Sequence, residues 1–389
     1  MNLNIVRNPF YCYIFGFGLC LLVYSWGWSD LYPFLSWELI LFFIITFSIS
    51  ILLGKRFDGS LKYRKIGIDP NNKIIFFTIW AGFLLEFIYN RGVPLFLLIK
   101  DPYYNYQVFG IPTFHVVLAT ISPFYAVYLF HQYLSNKTKI ELIMFLSLFL
   151  PGILIVSRGA TVTLATSCII LYFQQKDFIN LKKIVNFSIG LIFFLYMFGL
   201  IGFIRSFKDQ EEYFLDISQA TTSFKDSYVP KEFFWFYLYA SSPIANFQNV
   251  TLTAKKHNYD VPKYINRELL PDFISKRIVD PMSDIDIVNR MNYSIASFLT
   301  AGTIFYDSYV RMGWVGVGLT ALYFFFLCAF YIAILRKESV YFITGVTIIS
   351  TMSIYNVFDN MISFAGLSFQ LVYPFFFQFL KKYKFILNK

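Results

Sequence analysis

The chain has 389 residues, of which 57% are hydrophobic and only 14% are charged, and its mean hydropathy is +0.56. Because soluble domains carry about 25% charged residues, this composition excludes an ordinary soluble domain and indicates a polytopic membrane protein. The net charge of +10 does not indicate nucleic-acid binding, since the basic residues alternate with apolar segments and do not form one basic face.

Apolar segments long enough to cross a bilayer recur along the chain. A membrane helix needs about 20 predominantly apolar residues. The pattern predicts an all-α fold, a single integral-membrane domain over residues 1–389 with both termini on the same side. The first apolar run lacks a small-residue cleavage site, so we interpret it as a retained span and not a secretory signal. The ten predicted spans are residues 10–29, 34–53, 74–90, 113–134, 140–157, 160–174, 184–204, 312–335, 340–358 and 361–380.

A polar insertion, residues 205–311, separates the seventh predicted span from the eighth. It contains 13 of the 23 acidic residues of the chain. Connections of this length are usually functional. Residues 233–254 and 291–306 carry no charge, so a layout with twelve spans is the alternative. Polar side chains such as Ser241, Ser242 and Asn246 are costly to expose to lipid, and they favour short re-entrant or interfacial helices packed over the bundle.

The charges of the short connections predict the orientation. One side of the predicted bundle collects 18 basic residues against five acidic ones, whereas the short segments of the other side hold three basic and five acidic residues. Short loops rich in Lys and Arg face the cytoplasm. The termini are therefore predicted to be cytoplasmic, and the polar insertion extracytoplasmic.

The cysteines and histidines give no sign of a metal site. The four cysteines lie in apolar runs without CxxC spacing, and the three histidines are scattered. Asp280, Asp284 and Asp286 resemble a DxD metal motif, but such motifs serve nucleotide-sugar enzymes, and nucleotides are absent outside the cell. We interpret these aspartates as a solvated turn. No metal and no cofactor are predicted.

Ionisable residues at the predicted outer ends of the spans are the main candidates for function, because such residues are expensive within a membrane. No comparable set lies at mid-membrane, so the sequence offers no ion pathway. Arginines at this depth can hold phosphates through paired hydrogen bonds without a metal. The outer set consists of Glu38, Glu86, Arg91, Arg158, Arg205, Arg311 and Asp359.

Three of the candidates are assigned to catalysis. Arg158 lies in a tight connection beside Gly159, and Arg205 begins the polar insertion. Their alternative interpretation is an arginine that snorkels to the headgroups or ends a helix. Asp307 enters a helix close to the membrane and is the best candidate for a general base; pairing with Arg311, four residues later, is its alternative.

Further residues are assigned to substrate binding, and a purely structural role remains the alternative for several of them. Glu86 and Arg91 are spaced for a local ion pair, and His257 fits an exposed loop histidine as well as a base. The complete set is Arg91, Glu86, Tyr239, Arg290, Tyr306, Arg311 and His257.

Several short motifs, taken in their order, resemble a known family. The chain resembles the O-antigen polymerases, the oligosaccharide repeat-unit polymerases of the Wzy type, which are relatives of the O-antigen ligases. The matching pieces are Ser157-Arg158-Gly159-Ala160, Ile204-Arg205-Ser206, Tyr239-Ala240-Ser241-Ser242-Pro243-Ile244-Ala245-Asn246, and Ala301-Gly302-Thr303-Ile304-Phe305-Tyr306-Asp307 leading into Met312-Gly313-Trp314-Val315-Gly316.

The resemblance implies a metal-independent inverting glycosyltransferase of lipopolysaccharide biosynthesis. It would join oligosaccharides carried on undecaprenyl pyrophosphate, both donor and acceptor, at the periplasmic face of the bacterial inner membrane. Arg158 and Arg205 would stabilise the departing pyrophosphate, tyrosines of the insertion could stack on sugars, and a chain-length regulator protein is a candidate partner. An O-antigen ligase or another lipid-linked glycan transferase is the first alternative. A glycolipid flippase or transporter is the second, although the unequal halves of the chain disfavour it.

Overall fold

The computed structural model describes residues 7–101, 103–176, 181–206, 211–278 and 292–387. Over these residues the chain is all-helical, without a β-strand. Short 3₁₀ and π turns connect some of the helices. The α-helices are α1 Pro9–Tyr24, α2 Trp37–Phe57, α3 Asn72–Tyr89, α4 Pro94–Lys100, α5 Phe114–Asn136, α6 Lys139–Ser147, α7 Leu150–Leu154, α8 Arg158–Gln175, α9 Leu181–Ser206, α10 Glu211–Ile217, α11 Thr222–Lys225, α12 Phe233–Thr253, α13 Val261–Tyr264, α14 Asp272–Ile278, α15 Tyr306–Ile334, α16 Phe342–Tyr355, α17 Ala365–Ser368 and α18 Tyr373–Leu387.

Long apolar helices make the protein compatible with a helical membrane protein. In the described part of the chain, four stretches are long and apolar enough to cross a bilayer: Trp37–Ser60, Asn72–Lys100, Phe114–Asn136 and Tyr306–Ile334. They coincide with four of the predicted spans. Two further apolar helices, α1 and α16, are shorter, with 16 and 14 residues. It remains a prediction that α1, α16 and the other predicted spans also cross the bilayer.

Four predicted span boundaries differ from the structure. Predicted span 10–29 ends as a helix at Tyr24, and 140–157 is divided into α6 and α7 just before Pro151. Span 361–380 begins as a long helix only at Tyr373, after turns and one-turn helices. Span 312–335 begins earlier, at Tyr306, with a kink at Gly313. Proline and glycine explain these breaks, because Pro favours a helix start and Gly permits a backbone that other residues avoid.

The twelve-span alternative fails at its second uncharged segment. Residues 294–305 run as bends, turns and irregular backbone, and therefore cannot cross as a helix. Asn246 holds this segment: its side-chain amide donates to the Leu299 and Ala301 carbonyls at 2.7 Å each, and its side-chain oxygen accepts from Ile295 N at 2.8 Å. The first segment, in contrast, is α12, one continuous helix of 21 residues where short helices were expected. Its polar residues Ser241, Ser242, Asn246 and Gln248 are buried within the protein, whereas Asn249 is only partly buried.

The basic connections meet at one end of the bundle, here called the basic end (residues 55–73, 134–139, 336–341 and Lys381). Arg64 donates to the Lys337 carbonyl at 2.8 Å, Lys337 donates to Ser60 Oγ at 2.8 Å, and Lys381 pairs with Asp69 at 2.7 Å. The helices joined by these connections, α2 with α3, α5 with α6 and α15 with α16, therefore leave and return at this same end.

The polar insertion packs over the opposite end, here called the insertion end (residues 25–36, 90–113, 150–158 and 356–363). Asp30 N donates to the Gln219 carbonyl at 2.9 Å, and Asp272 N donates to the Ser363 carbonyl at 2.7 Å. The start of α12 packs against the last turns of α9, where a Cβ on Gly202 would lie 2.9 Å from the Trp235 ring. The predicted outer candidates that the structure describes are all found at this end.

Candidate functional site

A narrow, mostly apolar crevice opens between α3, α5, α7 and α8. Small residues leave the space: Gly152 lies against α8, where an added Cβ would approach Thr161 Oγ1 to 2.9 Å, and Pro123 interrupts the hydrogen bonding of α5. The lining residues are Phe83, Ala119, Ser122, Pro123, Leu148, Phe149, Pro151, Gly152, Ile155, Ala160, Thr161 and Leu164.

Three ionisable residues lie on the helices that line this crevice, near their ends toward the insertion end, and these helix ends are here called the rim. Glu86 is one helical turn beyond Phe83 on α3, and His115 is one turn before Ala119 on α5. Arg158 is the first residue of α8, two positions before Ala160, and its side chain is exposed. The rim therefore combines a carboxylate, an imidazole and a guanidinium above an apolar crevice.

Glu86 and His115 form a close pair, here called the rim pair. Glu86 is fully buried; one of its carboxylate oxygens accepts from Ile111 N at 3.1 Å, and the other lies 2.9 Å from His115 Nδ1. The local ion pair between Glu86 and Arg91, the alternative interpretation of their spacing, does not form. Arg91 has a positive φ of 53°, which turns the chain away from α3. Its side chain is exposed to solvent.

The surroundings of His115 hold its ring in one orientation. Gly110 has φ +107°, and a Cβ there would fall 2.4 Å from the imidazole, so only glycine fits against the ring. Phe109 contacts it edge-on at 5.6 Å. Because a carboxylate oxygen can only accept, Nδ1 carries a proton, and in the neutral imidazole the lone pair is then on Nε2. The His115 side chain is 27% exposed, whereas Glu86 is inaccessible.

A second group of polar residues, here called the Glu268 cluster (Glu268, Asp307, Arg311 and Asn360), joins the insertion to α15. Arg311 Nε donates to Glu268 at 2.9 Å. Asn360 Nδ2 donates to the other Glu268 carboxylate oxygen at 3.2 Å and to the Glu268 carbonyl at 2.9 Å. Burial raises the pKa of Glu268 to about 7; the nearby Asp307 raises it as well, while Arg311 and Asn360 act in the opposite direction.

The segment that contains His257 and Tyr259, just before Glu268 in the chain, packs against the kink of α15. Gly313 has φ 57° and ψ −150°, and a Cβ on it would lie 3.0 Å from His257 Nε2. His257 Nδ1 donates to the Val310 carbonyl at 3.2 Å, and Tyr259 N donates to the Arg311 carbonyl at 3.2 Å. His257 therefore packs onto the kink and is half-buried, not the freely exposed loop histidine of the alternative interpretation.

The other predicted residues have different surroundings. Tyr239 is 42% exposed, stacks on Trp235 at 5.4 Å and meets Phe198 edge-on at 5.8 Å. Tyr306, in contrast, is buried with its ring over Gly302; it packs the core and does not face solvent, against the expectation of a substrate contact. Arg205 lies in the last turn of α9, but its side chain lies outside the described residues, as does all of Arg290.

Two functional candidates escaped the sequence analysis. His115 was counted among scattered histidines, although Glu86 ends one helix and His115 begins the next long helix, which places both at the same end of antiparallel neighbours. Glu268 lies in a single π turn, Ile265–Leu269, for which the sequence gives no signal. Asp280, Asp284 and Asp286 are outside the described residues, and within the described ones no group of three His, Cys, Asp or Glu side chains is placed to hold a metal.

No protein-family model, no curated protein and no solved structure matches this chain.

Proposed function

We propose that the protein is a glycosyltransferase of the polysaccharide-polymerase type, which joins oligosaccharides carried on undecaprenyl pyrophosphate. The observation that carries the proposal is the rim itself: an exposed arginine and a partly exposed imidazole on helices that line an apolar crevice, at the end of the bundle that the insertion covers. This combination suits a lipid whose headgroup is a pyrophosphate and whose tail is apolar.

The arginines would act on the leaving group. As the anomeric carbon of the donor separates from pyrophosphate, negative charge grows on the departing oxygen. A guanidinium at Arg158, joined by Arg205, stabilises that charge more in the transition state than in the ground state. An arginine achieves this through paired hydrogen bonds to phosphate oxygens, which a lysine cannot make in the same geometry.

The motifs of the resemblance also support the proposal by their placement. Asn246, the last residue of the Tyr239–Asn246 motif, is hydrogen-bonded to the Ala301 carbonyl at 2.7 Å, where the next motif begins. That second motif leads to Asp307 beside the Glu268 cluster. Two pieces distant in the sequence thus form one unit within the insertion.

The proposal places the basic end in the cytoplasm and the insertion end in the periplasm of a bacterial inner membrane. A cysteine in place of the exposed Lys256 should then react with a membrane-impermeant maleimide on intact spheroplasts, and one in place of Lys62 only after lysis. The four native cysteines are buried, so background labelling should be low. Protection of Lys256→Cys until lysis would reverse the orientation.

A gel of surface polysaccharide from a deletion strain tests the activity. A polymerase predicts lipid cores capped with single repeat units in place of a ladder. Complete loss of the O-antigen would instead indicate a ligase, and accumulation of the lipid-linked unit on the cytoplasmic side would indicate a flippase. Either of the last two results would overturn the proposed activity.

A further inference from the structure

The imidazole of His115 has the arrangement of a general base. Its Nδ1–H is directed to the buried carboxylate of Glu86 at 2.9 Å, its ring is fixed by Gly110 and Phe109, and the side chain reaches solvent at the rim. A carboxylate behind an imidazole fixes the tautomer and stabilises the imidazolium that forms when the other nitrogen takes a proton.

The two other histidines of the chain lack this arrangement. His131 is buried at the basic end, with Nε2 2.9 Å from the Arg64 carbonyl and Nδ1 3.3 Å from Thr344 Oγ1. His257 donates through Nδ1 to the Val310 carbonyl at 3.2 Å and has no carboxylate of the described residues behind its ring, which packs against Gly313. Of the described carboxylates, Glu268 has both oxygens engaged, by Arg311 and Asn360, and is inaccessible.

We propose that His115 Nε2 is the general base of the transfer reaction and that Glu86 is its positioning residue. This inference rests on the proposed function and assigns the proton-accepting step to the rim pair in place of Asp307. It also gives a role to the carboxylate and the imidazole at the end of the bundle where Arg158 begins α8.

The step balances without a metal or a redox partner. The hydroxyl oxygen of the acceptor sugar forms a bond to the anomeric carbon of the donor while its proton passes to His115 Nε2. The bond between that carbon and the pyrophosphate oxygen breaks, and the electron pair leaves with the lipid pyrophosphate. The imidazolium, held against the Glu86 carboxylate, then returns its proton to water.

The test uses the full-length purified protein in liposomes, supplied with lipid-linked oligosaccharide extracted from the deletion strain. His115→Ala is expected to reduce the initial rate of polymer formation by about 10²–10⁴-fold, the contribution of a general base. Added imidazole should restore part of the rate in His115→Ala, because it can occupy the vacated space and accept the proton. Imidazole should not restore Arg158→Ala, which keeps its base.

Glu86→Gln provides a second, independent variant. A glutamine cannot accept from both Ile111 N and His115 Nδ1, so its amide favours the tautomer in which Nε2 carries the hydrogen and cannot act as a base. The rate should fall without rescue by imidazole, and the apparent KM for the lipid-linked substrate should change little. Thermal unfolding of each variant in detergent checks that the protein is folded.

The outcomes separate the inference from the proposed function. If the wild type forms no polymer, the proposed function fails. If the wild type forms polymer and folded His115→Ala does so at a comparable rate, the inference alone is wrong. Equally, rescue by imidazole of Asp307→Asn instead of His115→Ala would transfer the role to the carboxylate at the other cluster and overturn the assignment to His115.

Discussion

The insertion end carries two groups of polar residues that differ in what their side chains do. In the rim pair, Glu86 is buried, but His115 keeps one nitrogen free at the mouth of a crevice. In the Glu268 cluster, Arg311 and Asn360 occupy both carboxylate oxygens of Glu268, and the Glu268 side chain is almost inaccessible. The imidazole of the rim pair can reach a ligand, whereas the side chains of the Glu268 cluster bond to one another.

The difference indicates separate roles. Buried polar groups that satisfy one another fix a conformation, whereas a group held by its partner on one side and open on the other can react. The Glu268 cluster ties the π turn, the kink of α15 and the turn at Asn360 together, so substitutions there should act mainly on stability. Substitutions on the rim should act mainly on activity.

Next to the loss expected for His115→Ala, the largest effect is expected for Arg158 on the rim. Arg158→Ala should reduce polymer formation by about 10²–10³-fold, because one charged donor to the leaving group is lost. Arg158→Lys should also be poor, since an ammonium does not make the paired bonds. The length of the surface polysaccharide ladder in complemented deletion cells measures both. Lys256→Ala, a change of an exposed cation in the insertion, is the matched control, and a normal ladder from Arg158→Ala at normal protein level would remove Arg158 from the mechanism.

A large loss of stability is expected at the kink beside the Glu268 cluster. Gly313→Ala forces a side chain into φ 57°, ψ −150° and toward His257 Nε2 at 3.0 Å. Such backbone strain costs about 1–3 kcal/mol. Gly318→Ala is the control in the same helix, since its Cβ would meet no atom within 4 Å, and alanine in a helix interior is favoured over glycine by up to about 1 kcal/mol. Thermal unfolding in detergent should rank Gly318→Ala, wild type and Gly313→Ala in that order; equal midpoints for the two variants would contradict the role of the kink.

The narrowest effect, confined to one range of pH, is a pH dependence of stability. Burial raises the pKa of Glu268 from 4.5 to about 7. Between these pH values the folded state therefore keeps a proton on Glu268 that the unfolded state has released. The contribution of Glu268 to the free energy of unfolding is therefore complete below about pH 4.5 and is lost as the pH rises toward 7. Glu268→Gln should flatten this part of the pH–stability curve, and the exposed Asp226→Asn should leave it unchanged. If the stability of the wild type rises between these pH values faster than that of Glu268→Gln, the prediction is wrong.

Hydropathy and charge predicted the helices and their alternation well, because both depend on composition over long windows. The four long apolar helices and the joining of the basic loops at one end follow from that pattern. Local breaks were harder: Gly313 lies in a predicted helical start, and its kink depends on the packing of His257 from 56 positions earlier in the sequence. The pairing of Glu86 with His115 in place of Arg91 depends on a backbone turn at Arg91, which hydropathy does not register. Glu268 meets Arg311 and Asn360 only through tertiary contacts.

The central claim is that the end of the bundle covered by the insertion transfers glycans from a lipid pyrophosphate. The most direct measurement is polymer formation by the purified protein in liposomes, with lipid-linked oligosaccharide extracted from the deletion strain and a chelator present. The account predicts a ladder of increasing length and release of lipid pyrophosphate, both lost in Arg158→Ala. Unchanged lipid-linked oligosaccharide after incubation with folded wild-type protein would contradict it.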